Sequence, residues 1–264
     1  MARYGFGASR PIKHPYYQRP QPPPGQPERP TPLLSRGNPR NRLIDGLDDS
    51  VFLMILGDGA DADEVILLPS DYVNGGTDED EYWREQTSGY QALKTSIAYE
   101  QLQGDHPRIA RYLRRDAWNG LPILARPTGP SLNEFIGNHQ ANMYPDGHIV
   151  NDTFLPLVLN WALQALSALK FIHSHNDFYY NDLTIYNCWL SSDLSLSLIG
   201  FLHAEFRDEW GQLNDGGADR KGSMMRTTII KPRANVQSDL FDWGTFVYRL
   251  LTNEDLEKKT IARL

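Results

Sequence analysis

The stretch that most constrains this chain is LPLVLNWALQALSALKFIH, residues Leu155–His173, where Leu155, Leu159, Ala162, Leu166, Leu169 and Ile172 recur at three- and four-residue steps. That period lines them up along one side of an α-helix. At 1.5 Å per residue the helix is about 28 Å long, the width of a small domain. Such a helix must be covered by other elements along its apolar side, so the rest of the chain is read for what can cover it.

Ahead of it lie strand signals. VFLMIL (Val51–Leu56) and EVILLP (Glu64–Pro69) flank GDGADAD, whose Gly and Asp residues mark a turn. Residues 70–84 read as an acidic exposed loop, and SGYQALKTSIAYEQL (Ser88–Leu102) as a helix. ARYLRRDAWNGLPILAR reads as two strands joined at Asn119-Gly120, and PSLNEFI as a short helix capped by Ser131. After the long helix, CWL and LSLIGF form a hairpin around SSD, and residues 205–235 are irregular. SDLFDWGTFVYRLL (Ser238–Leu251) is apolar around nearly its whole circumference and predicts a buried helix. The expected class is α+β, a small strand-rich lobe at 43–126 followed by a helical lobe at 127–264.

Residues 1–42 differ from both. They hold ten of the eighteen prolines and carry a net +7, which leaves −14 on the other 222 residues. This arm is expected to be disordered or polyproline-II, and PGQPER (Pro24–Arg29) fits the PxxPxR form of a proline-rich ligand for a protein partner. The competing reading is a solvated tail. The acidic body argues against nucleic-acid binding, which needs a basic face. Cys188 is the only cysteine, which excludes an intrachain disulfide and a cysteine-based zinc site. The first fourteen residues lack the apolar core of a signal peptide, and no apolar run is expected to reach the roughly 18 residues of a membrane span. The expectation is an intracellular protein, cytoplasmic or nuclear, without a membrane role.

The chemistry-bearing segment follows the long helix. In YNDLTIYN (Tyr180–Asn187), Asp182, Leu183 and Asn187 match the protein kinase catalytic loop H-R-D-L-x-x-x-N, with Tyr180 and Asn181 in place of its His and Arg. NCWLSSDLSLSLIGF is similar to the hairpin carrying the D-F-G motif, and SDLFDWGTFVYRLLT to the family's central buried helix. GDHPRIARYL is similar to the segment after helix αC. Across residues 43–252 the chain therefore resembles a eukaryotic-type protein kinase domain, and its HPRI and NCWL details resemble kinase-like proteins of filamentous fungi. The resemblance implies a two-lobed fold. It also implies Asp182 as catalytic base, Asn187 as metal ligand, Ile123, Leu124 and Ala125 as the nucleotide hinge, and Asp239 as a brace for the catalytic loop.

The departures fall on the phosphate site. No lysine occurs between Lys13 and Lys94, so Leu67 or Leu68 stands where a kinase's third strand has its phosphate-binding lysine. Lys94 lies too close to YEQL to sit on that strand. The αC glutamate position falls near Thr95, with Glu100 on the wrong helical face. Gly200 replaces the magnesium-binding aspartate, and Gly57-Asp58-Gly59 puts a negative charge in a degenerate glycine loop. Losing one positioned electrostatic group typically costs about 10²–10³ in rate. The expected function is a pseudokinase serving as an interaction or scaffold module, with weak or no ATP and magnesium binding.

Three alternatives stand beside it. One is a kinase of altered mechanism using Asp182 and Asn187 with a substitute cation such as Arg84. Another is a small-molecule phosphotransferase sharing the D-x-x-x-x-N loop, and the last is a decayed reading frame. His173 and His175 form an H-x-H pair, but no third metal ligand is apparent. The chain stops soon after Leu251, before the helices that pack beneath the kinase's helical lobe, and KPR supplies Arg233 where that family has a glutamate. An apolar patch at Leu240, Phe246, Val247 and Leu250 is expected there, for a partner or a second copy.

Overall fold

The structure is a computed structural model that describes residues 42–48, 51–56, 63–69, 94–102, 106–116, 120–175, 177–181, 183–207, 211, 213–214 and 234–254. The Pro/Arg-rich arm with PGQPER, the acidic loop with Arg84, Gly57, Gly59, Asp182 and Arg233 lie outside these residues.

Strands β1 (Arg42–Asp48), β2 (Val51–Leu56) and β3 (Glu64–Pro69) run as an antiparallel meander. A helix, α1 (residues 94–101), separates them from β4 (Tyr112–Arg115) and β5 (Pro122–Ala125). β5 inserts between β3 and β4, so the sheet order is β1-β2-β3-β5-β4, antiparallel throughout. Val65 and Ile66 are β-branched residues suited to a strand, and both are buried. The β4–β5 connection is longer than a two-residue turn. Asp116 pairs with Leu121 and accepts from the amide of Gly120, whose φ of +72° is the left-handed conformation glycine adopts without strain.

Helix α2 (Leu132–Met143) starts at Ser131, whose hydroxyl accepts from the Glu134 amide. Helix α3 (Leu155–His173) follows, then the hairpin of β6 (Cys188–Leu190) and β7 (Leu196–Leu198). A short ladder of β8 (Phe206–Arg207) and β9 (Leu213–Asn214) precedes α4 (Val236–Thr252). α4 packs antiparallel to α3: His173 meets Asp239 at one end, and the Val150 amide donates to Leu251 at the other. The described residues thus form a mixed α+β fold with small antiparallel sheets and four helices.

α3 is the core helix, and of the six expected core positions Ala162, Leu169 and Ile172 are buried, Leu155 and Leu166 are half-buried and Leu159 is exposed. Val158, Trp161, Ala165, Ala168, Leu169 and Ile172 are fully buried, whereas Leu159 and Leu163 face outward, Leu163 at 64% exposure. Leucines on both sides blur the 3.6 period, and the bulk of Trp161 decides the side. By length and composition α3 could cross a membrane, contrary to the sequence expectation, yet it carries the centre of the protein's own core. Trp161 Nε1 donates to Leu194 O and Gln164 accepts from the Leu196 amide, which fixes the β6–β7 hairpin on α3.

The expectation for α4 also needs correction. Phe246 and Leu250 are buried and Val247 is half-buried, so these do not form an exposed patch. The open apolar residues are Val236, Leu240 and Phe241, the last at 68% exposure. Among the described residues the helix is packed on one side only, with Trp243 Nε1 donating to Ala162 O at 2.8 Å.

The segment before β4 joins the sheet to the helices. The Ala110 amide donates to Leu198 O at 2.8 Å and the Leu198 amide to Arg108 O at 2.9 Å, so the HPRI stretch adds a parallel bridge to β7. One hydrophobic cluster runs from Val65, Leu67 and Leu124 of the sheet to Trp161, Ile172 and Phe246 of the helices.

Candidate functional site

The site is organised from α4. Asn235 caps this helix in a reciprocal box with Ser238, which places the next residue, Asp239, in the first turn, where the helix dipole favours an anion. The Asp239 carboxylate is 1% exposed and accepts three hydrogen bonds. Tyr180 N donates to Oδ2 at 2.9 Å, Asn181 N to Oδ1 at 2.6 Å, and His173 Nε2 lies 2.7 Å from Oδ2. A buried charge is tolerated when it is matched in this way.

The clamp sets the loop that begins at Tyr180. Asn181 takes a left-handed φ of +58°, which asparagine accepts better than most residues, and its side-chain amide donates to His203 O. Leu183 and Ile185 are buried, and Thr184 caps a 3-10 turn over Ile185–Asn187. Asn187 is buried at the end of that turn, and its carbonyl accepts from the Ile199 amide at 2.9 Å. Ile199 precedes Gly200, so the backbone of Asn187 is paired with the residue next to Gly200.

Gly200 has a φ of +85°, a conformation that carries strain for any residue with a Cβ. Its amide donates to the Tyr99 hydroxyl of α1 at 3.0 Å. Burial raises the pKa of that phenol, and the Gly200 bond acts in the opposite sense. Tyr99 also belongs to a column of rings. It stacks on Tyr112 of β4 at 5.5 Å and meets Phe201 edge-on at 4.7 Å, and Phe201 meets Tyr180 edge-on at 5.4 Å. From the sheet edge to Asp239 the path is therefore continuous: Tyr112, Tyr99, Phe201, Tyr180. Each such pair adds about 0.5–1.5 kcal/mol beyond area burial.

The positions that the sequence resemblance assigns to phosphate handling look different. Val65, Ile66 and Leu67 of β3 are buried and apolar. Glu100 of α1 turns away toward the sheet edge, where Arg115 binds it through both oxygens and the Tyr112 hydroxyl donates to it at 2.8 Å. Thr95 is 0% exposed, and its hydroxyl is the one buried side-chain oxygen or nitrogen among the described residues with no hydrogen-bond partner. Lys94, which pattern reading set aside because it does not lie on a strand, is 1% exposed, and its ammonium donates to Leu202 O at 3.2 Å. The signal for it in the sequence was only its place one residue before Thr95.

The candidate hinge residues Ile123, Leu124 and Ala125 lie inside β5, paired with β3 on one side and β4 or Arg111 on the other. The connector to α2 is residues 126–130. Arg126 donates its amide to Asp63 O and Gly129 to Leu190 O, while Pro127 and Pro130 have no N–H to give. Gly129 lies so close to β6 that a Cβ would sit 2.7 Å from Ser191 O, and Trp189 Nε1 donates to the Gly129 carbonyl. The strap is thus fastened to the hairpin, and among its five residues Thr128 alone keeps an amide outside these bonds.

His175 Nδ1 contacts Phe171 O while His173 is held by Asp239, so the H-x-H pair is engaged in helix-end structure. Among the described residues no group of three His, Cys, Asp or Glu is placed to hold a metal. In comparisons with known proteins, no family model and no curated protein matches the chain.

Proposed function

We propose that the chain is a two-lobed, protein kinase-like module that has kept its scaffold and lost its phosphate site, and that it works by binding another protein. The observation that carries this reading is the Asp239 clamp on Tyr180 and Asn181, which braces a loop of kinase pattern while the surrounding phosphate-handling positions are apolar or altered. The sheet order β1-β2-β3-β5-β4 with a helix between β3 and β4, and the hairpin directly after the loop, support the same reading. The connector adds a reason for weak nucleotide binding. A purine edge needs backbone donors as well as acceptors, and four of the five connector residues offer no free amide hydrogen. Titrating the full chain with a fluorescent ATP analogue, with and without magnesium, tests this. Saturation at micromolar analogue would overturn it.

A second reading, phosphoryl transfer through Asp182 and Asn187, is favoured by Asn187 being held buried, its backbone paired with Ile199, rather than turned to solvent. Transfer of labelled phosphate to a peptide, lost in Asp182→Ala, would establish it over the first.

A further inference from the structure

Lys94 is buried at the start of α1. A buried lysine gives up side-chain freedom and hydration, so it persists only where its ammonium is matched by acceptors. Here an acceptor is a main-chain carbonyl, that of Leu202, 108 residues along the chain. No side-chain substitution at position 202 removes that oxygen. Five residues further along α1, about 7.5 Å at helical rise, the Tyr99 hydroxyl accepts from the Gly200 amide. Between the two bonds the Phe201 ring lies edge-on against Tyr99. Three consecutive residues are therefore gripped by one helix: Gly200 by its N–H, Phe201 by its ring, Leu202 by its C=O.

We infer that Lys94 is a built-in cationic latch, closing α1 onto the Gly200–Leu202 segment so that this arrangement holds without nucleotide or metal. An ordinary kinase cleft draws cation charge from a strand lysine and from metal ions held by an aspartate. In this chain β3 carries leucine and position 200 carries glycine, whereas a lysine on the helix is tied to the very segment that Gly200 begins. The helix cannot swing away without breaking the Lys94 bond, the Tyr99 bond and the ring contact together, and none of the three involves a dissociable ligand. A fixed α1 presents a constant surface, as a module that works by binding requires. The latch rests on the geometry of α1 and residues 200–202, whereas the comparison with a kinase cleft and the choice of ATP as probe rest on the kinase-like reading.

The test is hydrogen–deuterium exchange of α1 in the full chain, comparing wild type with Lys94→Met, which keeps the length and apolar bulk of the side chain. Exchange across α1 should rise about 10- to 100-fold, the loss expected for a charge-assisted bond, while α3 and α4 stay as protected as before. Adding ATP with magnesium, or EDTA, should leave α1 of the wild type unchanged. Equal α1 protection in wild type and Lys94→Met overturns the latch. If Lys94→Met does not fold, Lys94→Leu, which likewise has no donor, is read the same way. A nucleotide-dependent slowing of α1 exchange in the wild type would also overturn it, by showing that a ligand completes the closure. An ATP analogue that binds without altering α1 exchange would instead count against the empty phosphate site alone, so the two failures are distinguishable.

Discussion

Replacing Asp239 with asparagine probes the clamp with almost no change of shape. In the native protein one carboxylate oxygen accepts from Tyr180 N and His173 Nε2 and the other from Asn181 N. An asparagine has a single carbonyl oxygen, so one side of the clamp would face an N–H with the amide's own NH₂. At least one charge-assisted bond is lost, each worth about 1.5–3 kcal/mol, and a buried backbone donor is left unmatched at a further cost of about 1–3 kcal/mol. The sum spans about 2.5–6 kcal/mol, and its middle, about 3–5 kcal/mol, is what breaking a buried charged pair typically costs. For a chain of this size 1 kcal/mol shifts the melting temperature by about 2–4 °C, so the expected fall is about 6–20 °C. Calorimetry of the full chain at pH 7.5 reads this directly, with exposed Asp146→Asn as a control expected to stay within about 0.5 kcal/mol. A cooperative melt of Asp239→Asn within 2 °C of wild type, roughly 1 kcal/mol or less, would refute the clamp.

Other outcomes follow from the same geometry. Thr95→Val removes a buried hydroxyl that has no partner, so it should hold or raise the melting temperature by up to about 4–8 °C; a fall would mean that the hydroxyl is bonded to something. Gly200→Asp should instead lower stability by about 1–2 kcal/mol because φ is +85° there, and an unchanged denaturant midpoint would contradict this. His106 is held below the usual imidazole range by burial and, secondarily, by the Arg108 guanidinium, and its Nδ1 accepts from the Arg108 amide. The unfolded chain takes up this proton near pH 6.5 and the native state resists it, so the stability His106 contributes is present above that pH and is lost as pH falls through the lower native value. His106→Asn keeps the acceptor without the titration. Melts at pH 7.5 and 5.5 should therefore show a smaller acid loss in the variant than in wild type, and equal losses would contradict the assignment.

How far the sequence carried is best seen element by element. The long helix, the Ser131 cap and the β6–β7 hairpin were legible because each rests on short-range chemistry: a period, a capping hydroxyl, a turn. Asp239 was legible as a loop brace only through the kinase resemblance, since nothing local says what a carboxylate in a first helical turn will hold. The buried side of α3 was only partly legible, with Ala162, Leu169 and Ile172 right and Leu159 wrong, because Leu159 is as apolar as the residues that face the core. α4 was expected to be buried because Leu240, Phe241 and their neighbours over Ser238–Leu251 are apolar, yet composition does not say whether a neighbour exists to cover them. Lys94 was missed for a different reason. Pattern reading asks which residue occupies a named position on a strand, whereas the ammonium reaches Leu202 from another element altogether.

The measurement that bears most directly on the central claim is the melting temperature of the full chain with and without 1 mM ATP, in magnesium and again in EDTA. A working nucleotide site with a dissociation constant of about 10 μM would be stabilised by about 2.7 kcal/mol under these conditions, a rise of about 5–10 °C. With leucine on β3, glycine at residue 200 and a connector short of donors, the proposed function predicts a shift under 1 °C from a protein that melts cooperatively, below what a site of about 1 mM affinity would give. A magnesium-dependent rise of several degrees would contradict it.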